Sequence, residues 1–145
     1  VLDVMALFTL DPRLQQDTLY IAEFSLCKVL LMNDARYPWV ILVPKITGLT
    51  ESFQLDDAGQ QQLMVESNFV ASILKKVIQA DKMNVAALGN VVSQLHIHHV
   101  ARFIQDEAWP APVWGKGQAI AYTPAESDAV IALLRAEFKS MIQDG

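Results

Sequence analysis

The sequence predicts an α+β fold: a mostly antiparallel sheet of five to six strands, one long helix and a C-terminal helix. Three observations carry this. Three strand-like segments follow one another over tight links before Pro44. Beyond Asp56 the apolar period lengthens from two residues to about 3.6. Finally, Thr123-Pro124-Ala125-Glu126 is a capping box with proline at the first helical position, which opens another helix. Strands and helices arriving in separate runs pack as helices against one antiparallel sheet.

Thr18–Phe24 and Cys27–Met32 read as two strands closely joined at Ser25-Leu26. Asn33-Asp34-Ala35-Arg36-Tyr37-Pro38 then carries turn chemistry, with two Asx-type residues and a proline. Trp39–Val43 is a third strand, apolar throughout and stopped by Pro44. Short links between the three imply an antiparallel meander. From Asp56 to about Gln79, Leu63, Val70, Ile73, Leu74, Val77 and Ile78 recur at helical spacings and form one apolar stripe. Gln60–Gln62, Glu66, Lys75 and Lys76 fall mainly off it. A fourth strand is expected over Met83–Leu88, then a Gly89-Asn90 loop, then a two-faced strand over Gln94–Phe103. The last helix runs from the capping box to about Met141, with Val130, Leu133, Leu134 and Phe138 on one side.

No repeat, charge block or Gly/Ser linker divides the 145 residues, so one domain is expected over 1–145. Its core would span about 10–105, with a tail and helix over 106–145. Hydrophobic residues at 52 % and charged residues at 19 % exclude a disordered chain. With 11 Lys+Arg against 16 Asp+Glu the net charge is −5, which argues against binding a nucleic acid polymer but allows a local site for one small nucleotide. Cys27 is the single cysteine, so no intrachain disulfide forms and a cytoplasmic setting is expected. No run approaches the roughly 18 apolar residues of a membrane helix. The apolar start Val1–Leu10 lacks a basic segment and holds Asp3, so no signal peptide is expected there.

All three histidines fall within four positions: His96, His98 and His99. In a strand, side chains two apart share a face, about 6.5–7 Å from one another. Gln94, His96 and His98 would therefore line one face, and Leu95, Ile97 and His99 the other. A row of Gln, His and His suits a polar groove better than a packed core. Nucleophilic catalysis by a neutral imidazole would use it. A metal site would use His96 and His98 as two ligands, but no Asp, Glu or Cys lies near in sequence as a third. Histidines on an ordinary sheet surface or interface are the third reading, which fits His99 best.

The segment Asn84-Val85-Ala86-Ala87-Leu88-Gly89-Asn90-Val91-Val92-Ser93-Gln94-Leu95-His96-Ile97-His98-His99-Val100-Ala101-Arg102 resembles the histidine triad (HIT) hydrolase family, whose mark is His-φ-His-φ-His-φ-φ with φ hydrophobic. Upstream, Val29–Lys45, with Asn33 after an apolar strand and then Trp-Val-Ile-Leu-Val-Pro-Lys, looks like that family's nucleoside-binding hairpin. Trp109-Pro110-Ala111-Pro112-Val113-Trp114-Gly115 looks like the tail of one bacterial branch.

The resemblance implies a HIT-like fold, a homodimer sharing a continuous sheet, a small-molecule nucleotide substrate, and neither cofactor nor metal. His96 matches the middle histidine, which in the family attacks the α-phosphorus to form a nucleotidyl–imidazole intermediate. His98 matches the last histidine, which assists at the phosphate and its bridging oxygen. Gln94 replaces the first histidine. It cannot titrate, but its backbone carbonyl would still orient the attacking imidazole. The alternative function is a catalytically weak or inactive nucleotide-binding sensor.

By the same resemblance Asn33 would bond the ribose, Asn84 would lie near the phosphate, and Asn90 and Ser93 would offer donors to its oxygens. Fixed donors of that kind stabilise developing negative charge better than mobile water does. Each also has an ordinary reading: Asn33 and Gly89-Asn90 as turn residues, Asn84 as a strand end. Arg102 would either bring positive charge to the site or pair with Asp106, the latter favoured. Trp39 reads as core, Cys27 as a small buried hydrophobe, and Trp109 and Trp114 as covers of a groove or of a dimer partner.

Overall fold

Residues 7–143 are described by a computed structural model. Most of the apolar start read above as no signal peptide, 1–6, lies outside them. Five strands form one sheet in the order β1-β2-β3-β5-β4: β1 Thr18–Glu23, β2 Cys27–Met32, β3 Trp39–Pro44, β4 Lys82–Ala86 and β5 Ile97–Arg102. Every neighbouring pair is antiparallel, and β1–β2–β3 is the expected meander. The sheet has helices α1 (Pro12–Asp17), α2 (Asp57–Val77) and α3 (Pro124–Glu137) around it. None of the described helices is long and apolar enough to cross a membrane.

β3 is buried at all six positions because both faces of the sheet are covered. On one face, Val29, Leu31, Val40 and Leu42 pack with Leu63, Val70 and Leu74 of α2 and Leu134 of α3. On the other, Leu30, Trp39, Ile41 and Val100 pack with Leu14 of α1 and with Ala108 and Val113 of the tail. Burying each such side chain contributes about 1.5–3 kcal/mol.

Three departures from the sequence reading have clear causes. Glu66, off the apolar stripe of α2, is fully buried: its carboxylate accepts from the Leu26 and Cys27 amides at 2.9 Å each and from Gln62. It satisfies the turn between β1 and β2, whose donors the strand ladder cannot reach. Leu133 is exposed while Leu134 and Phe138 carry the inner face of α3, and the helix gives way to a 3₁₀ turn at Lys139–Met141. Finally, α1 was not anticipated, although Asp11 caps it with a 2.8 Å bond from the Arg13 amide and Pro12 takes its first turn.

Candidate functional site

β5 starts at Ile97, not at Gln94, because residues 94–96 have no strand opposite them. The β3–β5 ladder ends at Leu42–Ile97 and the β4–β5 ladder at Ala86–His98. The alternation persists into the irregular segment all the same. Leu95 is held into the helix-side core by its amide on the Leu49 carbonyl at 2.9 Å. That leaves His96 on the side of His98, and their ring centroids are 4.9 Å apart.

His99 points the other way. Its Nε2 is 2.7 Å from the Ser67 hydroxyl and its Nδ1 is 3.2 Å from the Val40 carbonyl. It is a satisfied core histidine. Burial holds its pKa down at about 4, so it is neutral.

The two groove histidines are held differently. His96 Nδ1 lies 2.7 Å from the Gln94 backbone carbonyl. A carbonyl only accepts, so in the neutral ring Nδ1 carries the proton and Nε2 the lone pair. His98 Nδ1 is 3.0 Å from the Trp39 indole nitrogen. Burial, with His96 and His99 nearby, pushes the His98 pKa down to about 3. Trp114 closes on its ring at a centroid distance of 5.0 Å.

Both histidines line a groove of about 300 Å³ together with Leu14, Met32, Asn90 and Trp114. The loop 88–92 makes one wall; Gly89 has φ +75°, the left-handed region that glycine occupies without strain. Asn90 and Ser93 are exposed. Among the described residues neither side chain has a hydrogen-bond partner. Ser93 lies with His96 and Gln94 around a smaller adjoining cavity.

The other anticipated residues lie further off. The Gln94 side chain turns away from the histidines to the N-terminal segment: Nε2 donates to the Thr9 carbonyl at 2.9 Å and Oε1 accepts from the Asp11 amide at 2.8 Å. Asn33 follows β2, next to Met32 of the groove, and its Oδ1 accepts from the Tyr122 amide at 2.9 Å. Asn84 lies in β4, with its Oδ1 2.7 Å from Arg102. Arg102 is sealed away from the groove, its guanidinium bonded to both Asp106 oxygens at 2.7 and 3.0 Å. This is the ion pair that the sequence reading favoured. Trp109 lies over that guanidinium, whereas Trp114 covers the groove. Cys27 is buried, and burial pushes its thiol pKa upward.

Sequence reasoning missed α1, which brings Leu14, Arg13 and Asp17 to the groove mouth. The Asp11-Pro12 cap was the available signal. Arg13, and not Arg102, is the arginine that lines the groove. Among the described residues no three His, Cys, Asp or Glu side chains converge as a metal-ligand set.

A family model for the HIT domain matches residues 13–105. A histidine triad protein from Marinobacter aquaeolei VT8 is 45 % identical, with 94 % of this chain and 99 % of that one covered at a TM-score of 0.91. One from Bradyrhizobium japonicum is 44 % identical over 91 % and 98 %, at 0.89. Another, from Sinorhizobium meliloti 1021, is 43 % identical over 93 % and 97 %, at 0.86. No curated protein sequence gives a significant match.

Proposed function

This chain belongs to the histidine triad (HIT) domain family, and from that premise we propose that it is a hydrolase or transferase of nucleoside phosphate anhydrides, esters or phosphoramidates. The observation that carries this reading is the 2.7 Å contact between His96 Nδ1 and the Gln94 carbonyl, which leaves the Nε2 lone pair for the groove. In the proposed reaction Nε2 bonds to the α-phosphorus while the bond from phosphorus to the leaving group breaks. The leaving group departs with a proton taken from solvent, and the proton that the attacking water loses in the second step returns to solvent. Water then attacks phosphorus, the N–P bond breaks, and nucleoside monophosphate and the free imidazole are regenerated. Asn90 and Ser93 would donate to the phosphoryl oxygens, and His98 would assist at the bridging atom. Asn33 would reach the ribose from the end of β2, and Asn84 would act only at a distance, through Arg102. Release of nucleoside monophosphate from a nucleoside phosphoramidate and from a dinucleoside polyphosphate tests the reading. Absence of turnover across a nucleotide panel would remove it.

The grip of Gln94 on Thr9 and Asp11 favours the enzyme over a sensor that has lost its first histidine. Gln94 holds the N-terminal segment beside the nucleophile, and its backbone does the orienting. Gln94→His is therefore expected to lower kcat/KM by roughly tenfold, since an imidazole cannot reproduce both bonds. Hydrogen exchange at the Asp11 amide is expected to speed up with it. A gain of activity in that variant, or calorimetric nucleotide binding without product in the native chain, would favour the sensor instead.

The protein is also proposed to act as a homodimer in the cytoplasm. β4 is a sheet edge, and beside it Val85 (49 % exposed) and Met64 (60 % exposed) flank an apolar groove with Leu63 and Ile97. A second copy would cover these side chains and extend the sheet across the edge. Sedimentation is expected to give the mass of two chains, and Val85→Lys that of one. A native chain that sediments as a monomer contradicts the dimer.

A further inference from the structure

Trp39 opens β3 on the groove side of the sheet, where it stands opposite Val100 while Ile41 stands opposite His98. An indole N–H has a hydrogen and no lone pair in the ring plane, so it only donates. At 3.0 Å from His98 Nδ1, it requires that nitrogen to be the unprotonated one. A neutral imidazole then carries its single proton on Nε2. The indole is itself held in place: its ring packs edge-on against Tyr37 at 6.4 Å and Trp114 at 5.8 Å between centroids.

His98 Nε2 faces the groove. Among the described residues the Tyr37 hydroxyl is the one buried side-chain polar atom without a hydrogen-bond partner. Among the described residues no group bonds His98 Nε2, and His98 lines the groove, so that atom is reached from the groove rather than enclosed. Its neighbour His96 is fixed in the opposite tautomer by the Gln94 carbonyl. Two rings 4.9 Å apart thus offer the groove opposite chemistry, one a lone pair and the other an N–H.

We propose that Trp39 is a positioning residue that locks His98 in the Nε2–H tautomer, so that a neutral donor always faces the phosphoryl oxygen or the leaving-group atom. The assignment of a catalytic benefit rests on the function proposed above; the tautomer does not. Burial keeps the ring neutral but does not choose which nitrogen holds the proton. Trp39 makes that choice, and unlike a histidine or a carboxylate it can neither accept the proton nor pass it on.

The test uses the full chain labelled with ¹⁵N at histidine and tryptophan. In the native protein His98 is expected to show an unprotonated Nδ1 and a protonated Nε2, with a ¹⁵N–¹⁵N coupling across the bond from Trp39 Nε1. Trp39→Phe keeps an aromatic ring and removes the donor. It is expected to mix the two His98 tautomers and lower kcat by roughly three- to tenfold, the worth of one hydrogen bond. KM for a nucleoside phosphoramidate should change by less than about twofold, because a donor that acts in the transition state leaves ground-state binding alone. A proton found on Nδ1 of native His98, or an unchanged kcat in Trp39→Phe, overturns the proposal. If Trp39→Phe does not fold, the native spectrum decides alone. Should the native chain turn over no nucleotide while the coupling is present, the functional reading fails and the tautomer lock stands.

Discussion

Replacing His96 with asparagine is expected to lower kcat for a nucleoside phosphoramidate by roughly 10⁴-fold, about 5.5 kcal/mol of barrier. The native imidazole does two things at once: its Nδ1–H bonds the Gln94 carbonyl at 2.7 Å, and its Nε2 is left with a lone pair at the groove. The asparagine amide is short, with an N–H group close to where Nδ1 stood. It retains a donor for Gln94 but puts no nucleophile where Nε2 was. Nucleotide affinity and thermal stability should therefore survive, separating a lost chemical step from a damaged site. With the native enzyme and a slow substrate, rapid quenching should trap a protein adduct heavier by one nucleotidyl group and labile to acid. Asparagine at 96 with activity near the native level would refute the covalent route outright.

Arg102→Met is expected to destabilise the protein by about 3–5 kcal/mol, through removal of one member of a buried ion pair. Arg102 is 1 % exposed and the Asp106 side chain 6 %. The guanidinium meets both Asp106 oxygens and also donates to Asn84 Oδ1 at 2.7 Å, joining β5 to β4 and to the tail. Tyr37 and Trp109 lie against it, with ring centroids 5.8 and 5.6 Å from its central carbon. Methionine fills part of the volume but leaves the Asp106 carboxylate with only the Phe103 and Trp109 amides, uncompensated by a cation, and the Asn84 amide oxygen without its Arg102 donor. Asp106 is held below the usual carboxylate range chiefly by its bonds to Arg102, and the variant loses that support. Urea denaturation measures the loss. Adding Asp106→Leu should restore a good part of it, because the stranded charge goes too. A drop below about 1 kcal/mol in the single variant would mean that water already solvates the pair.

Much of the fold was legible because it depends on short-range pattern. β1, β2 and β3 emerged from runs of apolar residues broken by turn chemistry, α2 from its stripe, and α3 from a capping box whose bonds the structure contains. Failures came where local pattern and long-range partner disagree. Gln94–His96 alternates like a strand, yet no neighbouring strand reaches that far. Glu66 reads as a solvated helix residue, but the amides at Leu26 and Cys27, about forty positions earlier, draw it inside.

The same division runs through the site. A strand's two-residue period was enough to set His96 and His98 on one face and turn His99 to the other, because backbone geometry alone enforces it. His96 takes its tautomer from the Gln94 carbonyl two positions away, but which ring nitrogen of His98 bears the proton was decided by tertiary structure. Trp39 lies 59 positions from His98, and Gln94 reaches Thr9 and Asp11 across 85 and 83 positions. Such bonds exist only once packing brings distant segments together, and no local pattern of residues encodes them.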